Sequence, residues 1–176
     1  SLKVKGIAIF PVDAPEGQPY ENIMRKVTHF YHIEDIMSPA YEAKMVLTDN
    51  ATSLISTLPI QGNERVVVEV EDAFENTYQY DYRVWTIANR ISGDRSEVYT
   101  LGLTSAEGMD NEGVRLSMGI KGNISTIVKK LLTEKLLVPE DKVFTDETKT
   151  SAKILPRKQS VFSVIRSLQT KGVPKE

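Results

Sequence analysis

The sequence contains no cysteine, which excludes a disulfide framework, a thiolate zinc site and a cysteine nucleophile. That absence fits synthesis in a reducing cytoplasm. Histidine is scarce, with only His29 and His32 in 176 residues. A Ser/His/Asp triad would have to use one of them with a serine that sits in no recognisable nucleophile elbow. Glycine-rich phosphate loops are missing, since none of GxGxxG, GxxxxGK[ST] or GxSxG occurs. Excess charge is absent too. Basic residues number 22 and acidic residues 24, and a formal charge of −2 leaves no electrostatic footprint for gripping nucleic-acid phosphates. The most apolar early run, residues 6–10, is too short for a signal-peptide core and meets Pro11. No stretch approaches the roughly 20 apolar residues of a membrane span. What remains, 40% hydrophobic and 26% charged, has the composition of a soluble globular chain, and 176 residues suffice for one sizeable core or for one domain plus the beginning of another.

The chain is organised around residues 31–71. Ser38-Pro39 separates two extended runs, and in the second Tyr41, Ala43, Met45 and Leu47 alternate with Glu42, Lys44, Val46 and Thr48, as in a half-buried strand. Asp49-Asn50 stops that strand and offers an acceptor for a helix with Leu54, Ile55 and Leu58 on one face, ended by Pro59. Gln61-Gly62-Asn63 is turn chemistry, and Val66, Val68 and Val70 then restart an extended segment.

On either side the pattern stays mostly extended. Residues 2–10 alternate as an opening strand, and 24–37 favour a strand with Val27, His29, Tyr31 and Ile33 on one side. Residues 78–88 place Tyr78, Tyr80, Tyr82, Val84 and Thr86 on one face, opposite Gln79, Asp81, Arg83, Trp85 and Ile87. Ser92-Gly93-Asp94-Arg95 turns this run into a hairpin with 96–104. A short helix over 104–113 leads to a strand carrying Val114, Leu116, Met118 and Ile120. Ile124, Ile127, Val128, Leu131 and Leu132 then form a helical stripe. Ser160 caps a last helix, and its stripe of Val161, Val164, Ile165 and Leu168 finds no partner in the few residues after it. Either it packs back on the sheet domain or the chain is part of a longer protein, and we expect the second.

His29, His32, Glu34 and Asp35 are the one tempting metal cluster. In a strand, residues three apart point to opposite faces, so the two imidazoles diverge. We therefore expect no catalytic, cofactor-binding or metal-ligating residue and no enzymatic activity. The tyrosines at 78, 80 and 82 lack the basic neighbours of a base-stacking platform and read as a core or interface face. The opposite face of the inferred sheet carries Glu42, Glu69, Glu71 and Asp81 with Lys44, Arg65 and Arg83. Such a mixed surface suits DNA sliding past without sticking, or plain solvent.

The order and wording of these stretches resemble the baseplate hub proteins of contractile-tailed phages, whose fold is related to the tail-tube proteins. The resemblance rests on residues 38–70, the hairpin 84–105, the helix and strand of 107–132, and 154–171. It implies an α+β fold, mainly an antiparallel β-barrel or sandwich of tail-tube type with flanking short helices. The implied layout is an N-terminal strand and loop over 1–26, a tail-tube-like β domain over 27–138, and a connecting segment and helix over 139–176. The implied role is structural: a ring, self-associated as a trimer, that adapts the tail tube to the central spike and lets DNA pass. Implied partners are the tail tube protein, a spike or lysozyme-like tail-tip protein and other baseplate proteins, with only transient DNA contact and no membrane insertion. The implied location is the virion tail baseplate, after synthesis in the host cytoplasm. The alternative reading is a small-molecule or peptide-binding α+β domain without catalytic activity.

Overall fold

The computed structural model describes residues 3–12, 21–50, 54, 60–94 and 96–175. The chain divides into two compact units, residues 1–106 and 107–176. In the first, seven strands form one antiparallel sheet: β1 (Lys3–Phe10), β2 (Glu21–Asn22), β3 (Val27–Ile33), β4 (Glu42–Asn50), β5 (Arg65–Glu71), β6 (Thr77–Ser92) and β7 (Ser96–Ser105). Their spatial order is β2-β1-β5-β6-β7-β4-β3.

The two ends of that order are neighbours in sequence. Only Ile23 and one 3-10 turn, Met24–Lys26, separate β2 from β3, so the sheet curls until both edges meet one continuous segment. β2 pairs with Ala8 and Ile9 of β1, Ile23 N donates to Ile7 O at 2.9 Å, and β3 runs along β4. Lys26 Nζ pins the turn from 3.4 Å to Glu21 and 3.1 Å to the buried Asp49 of β4.

Alternate residues point into the curl. Ile7 and Ile9, Ala43, Met45 and Leu47, Val66, Val68 and Val70, Tyr82 and Val84, and Tyr99, Leu101 and Leu103 make one core with Ile23, Leu54 and Ile60. Each such Leu, Ile or Val contributes about 1.5–3 kcal/mol by leaving water. The alternation expected for β4 and β5 is observed, as is the β6–β7 hairpin, closed by Gly93 N donating to Ser96 O at 2.8 Å. The helix expected over 51–58 lies outside the described residues except for Leu54, which is helical and buried with its N–H on the Asp49 carboxylate.

Two faces differ from expectation, both because of bulges. The register shifts between Val27 and His29, so Val27 lies opposite Leu47 on the core side with Phe30 and His32, while His29, Tyr31 and Ile33 face outward. A second shift between Val84 and Thr86 makes Trp85 the extra residue. Ile87 therefore joins Val84 against the core instead of opposing it. One added residue inverts every side chain beyond it.

In the second unit, α1 (Ala106–Gly113) leads to a two-stranded sheet of β8 (Ile120–Asn123) and β9 (Ser151–Ile154), with α2 (Ile124–Lys135) and α3 (Val161–Gln169). The strand expected through 114–120 is confined to β8. Leu116 makes only an isolated bridge to Gln159, and Met118 is 81% exposed. Lys158, at φ 54°, breaks the extended run that would have to pair with it. The last helix is not unpartnered: Val161, Val164, Ile165 and Leu168 pack with Leu116, Ile124, Ile127 and Leu131 in one core. Asn123 caps α2 by accepting from Ser125 N at 3.0 Å, and Ser160 caps α3.

Candidate functional site

The outer surface of the curled sheet holds the residues that the sequence set opposite the core. Register places Ile33, Glu42, Thr104 and Arg83 in one row across β3, β4, β7 and β6, and Tyr31, Lys44, Gly102 and Thr86 in the next. Further round the curl, Arg83 lies opposite Arg65 and Asp81 opposite Val67. The expected acids and bases therefore do share this face. Part of the set is paired: Arg65 reaches Asp81 at 2.6 Å, Arg83 reaches it at 3.6 Å, and Glu71 meets Lys5 of β1 at 2.9 Å. Arg65 also lies over the Phe10 ring, 5.4 Å from its centroid. A surface whose charges neutralise locally has little left to hold a polyanion.

The second row carries the one tryptophan. Trp85, pushed out by the bulge and 56% exposed, lies across Gly102 of β7. A Cβ at position 102 would come within 2.9 Å of the indole Nε1 and 2.5 Å of Thr86 Cγ2. Only glycine leaves room for that ring against the strand. Alternation alone sets Trp85 among the residues opposite the tyrosine face; the signal for its position is the glycine in the middle of the next strand.

This row ends at β3, which pairs only with β4 among the described residues. Its outward side chains include Tyr31, 54% exposed, and Ile33, and the loop beyond carries Ile36 at 99% exposure and Met37. An edge strand bearing apolar residues is the surface on which strands and subunits add. Asp35 holds that loop by accepting from Met37 N at 2.8 Å, and Ser38 N donates to the Asp35 carbonyl at 2.8 Å.

The two histidines diverge. His29 stacks on Tyr31 outside, with centroids 6.2 Å apart, whereas His32 turns inward to Tyr82 Oη at 2.6 Å and to Glu34 at 3.0 Å. Tyr41, Tyr80 and Tyr82 surround the His32 ring, Tyr80 at 4.3 Å between centroids. Burial, then the nearby Tyr41 and Tyr80, pushes the Tyr82 phenol well above its ordinary value. This cluster ties the edge strand back across the curl to β6. Among the described residues no group of three or more His, Asp or Glu is placed to hold a metal ion. Among them also, no helix is long and apolar enough to cross a membrane.

No family model matches the chain, and no curated protein sequence does. Solved structures match in fold. One is the tail protein from Neisseria meningitidis MC58, with 12% identity, a TM-score of 0.57, and coverage of 94% of this chain and 44% of that one. A second is the 43 kDa tail protein of prophage MuSo2 from Shewanella oneidensis, with 9% identity, a TM-score of 0.63, and coverage of 95% and 49%. The third, the Francisella PdpA–VgrG complex, gives 9% identity, a TM-score of 0.53, and coverage of 97% and 28%. The chain thus has an α+β, mostly antiparallel fold seen in phage tail proteins, and it spans less than half the length of each of these chains.

Proposed function

We propose that the chain is a structural subunit of a phage tail baseplate hub, with its first unit as a barrel of tail-tube type. Copies assemble as a trimer into a ring that adapts the tail tube to the central spike, or to a lysozyme-like tail-tip protein, and lets DNA pass. The observation that carries this reading is the fold likeness, which extends over nearly the whole chain to two tail proteins and a VgrG complex. The two rows that end in Ile33 and Tyr31 at the edge strand β3 support it, since ring subunits need an exposed strand to join. No catalytic role enters this reading. The mixed-charge surface of Glu42, Glu69, Glu71, Asp81, Lys44, Arg65 and Arg83 lines the passage, where locally paired charges keep DNA contact transient.

The test is the mass of the purified chain across a concentration series, by light scattering after size exclusion. A trimer or hexamer that Tyr31→Asp with Ile33→Asp returns to monomer is the expected result. A monomer at every concentration refutes self-association. Lumen lining is checked in the assembled ring: reversing Glu69→Lys and Glu71→Lys should increase retention of a single-stranded oligonucleotide, and no change would place this face elsewhere.

A further inference from the structure

The second unit carries a groove of about 620 Å³ between residues 114–122 and α2, within the roughly 300–1,000 Å³ common for ligand clefts. Leu116, Ile120, Ile127 and Leu131 give it an apolar floor, and the exposed Met118 stands in its lining as an adaptable apolar contact. Its charged residues are Arg115, Lys121, Lys130 and Lys135 against the single carboxylate of Glu134. Four cations against one anion is a local charge of +3 on a chain whose total is −2.

These cations are poorly matched within the chain. Arg115 is 3.6 Å from Glu112 and donates from Nη1 to the Asn111 and Val114 carbonyls at 2.9 and 3.0 Å, while Lys130 is 3.8 Å from Glu134 in a loose, exposed pair. Lys121 and Lys135 form no ion pair among the described residues. Lys121 also lies directly opposite Lys153 on β9, and like charges at a cross-strand position work against the sheet. Lys121, facing another lysine and standing in the lining of an apolar trough, adds to a positive rim complementary to a segment that is both anionic and apolar.

We propose that this groove binds an acidic peptide segment of a partner protein, extended, with apolar side chains seated between Met118 and α2 and carboxylates against Lys121, Lys130 and Lys135. A nucleic acid would use the lysines but leave the apolar floor idle, and a free inorganic anion likewise. The proposal stands apart from ring formation, which uses the first unit.

The probe is a dye-labelled peptide of alternating leucine and glutamate, about a dozen residues long, titrated with the full chain by fluorescence anisotropy. Saturable binding is expected. Lys121→Glu with Lys135→Glu should weaken it about tenfold, and Met118→Asp comparably. A peptide with serine for leucine, or lysine for glutamate, should bind at least about tenfold more weakly. Lys121→Glu should meanwhile raise the thermal midpoint, because it faces Lys153, so lost binding is separated from lost fold. Lys121→Gln with Lys135→Gln serves as a milder second variant and should show the same order of effects. Failure of the leucine–glutamate peptide to saturate, indifference to both lysine pairs, or equal binding of a single-stranded oligonucleotide would each overturn the proposal.

Discussion

Gly102→Ala isolates one contact in the first unit. The new methyl would lie 2.5 Å from Thr86 Cγ2, 2.9 Å from Trp85 Nε1 and 3.2 Å from Trp85 Cε2. Three contacts this short cannot be relieved together without moving the indole off the strand or rotating Thr86. Overpacking of this kind costs about 1–3 kcal/mol. The reduced freedom of the unfolded chain returns about 0.4–1 kcal/mol. A net loss of about 1–2 kcal/mol results. With a urea m-value of about 1–2 kcal/mol/M for a unit of this size, the midpoint should fall by roughly 1 M. The assay reads the site directly, because Trp85 is the single tryptophan and its emission tracks unfolding of the first unit alone. The native emission should also shift toward the red as the ring lifts into water. Thr86→Ser removes the nearest methyl, so the double variant should recover part of the loss, with a coupling of about 0.5–1 kcal/mol. A neutral or stabilising Gly102→Ala, with unchanged emission, would refute the claim that glycine is required beneath the indole.

Three other perturbations have equally definite outcomes. Burial raises the phenols of Tyr82 and Tyr99 well above their ordinary value near 10. The folded state therefore keeps protons that the unfolded state releases, so stability is fully present below about pH 10 and falls as pH rises beyond it; urea midpoints across that range, with tyrosinate absorbance, check the sign. Asn123→Ala removes the acceptor of Ser125 N and the donor to Thr148 O at 2.6 Å, and should cost about 1–2 kcal/mol in thermal or urea unfolding of the second unit. Arg65→Ala breaks a pair whose partners are 42% and 41% exposed, so its urea midpoint should move by less than about 1 kcal/mol equivalent, and less still at high salt.

Much of the first unit was legible because β4 and β5 keep an unbroken period of two, Ala43, Met45 and Leu47 on one and Val66, Val68 and Val70 on the other. The faces of β3 and the second half of β6 were not. A bulge adds a residue without leaving an apolar mark, and Val27 and Ile87 each look equally at home on either side of a phase shift. Asn89, at φ 53°, marks a further irregularity in β6 with the residue type that tolerates that conformation best. In the second unit the stripes of α2 and α3 were visible, but a stripe states only that a helix has a partner. Which partner depends on Phe162 N bonding the buried Asn111 at 2.9 Å and on the Leu116–Gln159 bridge, neither of which has a periodic signature. The outer face of the sheet was half visible: the alternation located the charges, while the exposure of Tyr31 and Trp85 depended on the two bulges.

The segment from Glu21 to Ile33 holds β1 with its first residues and β4 with its last, and nothing but a single 3-10 turn lies between the two grips. One strap therefore buckles both sides of the seam. Its release exposes the margins of β1 and β4 in the same event, so amide protons on Ile9 and the β3-facing side of β4 belong to one opening unit despite lying more than thirty residues apart. Closure is correspondingly late in folding, since the strap has nothing to fasten until both margins exist, and the local hairpin of β6 and β7 is free to form well before it.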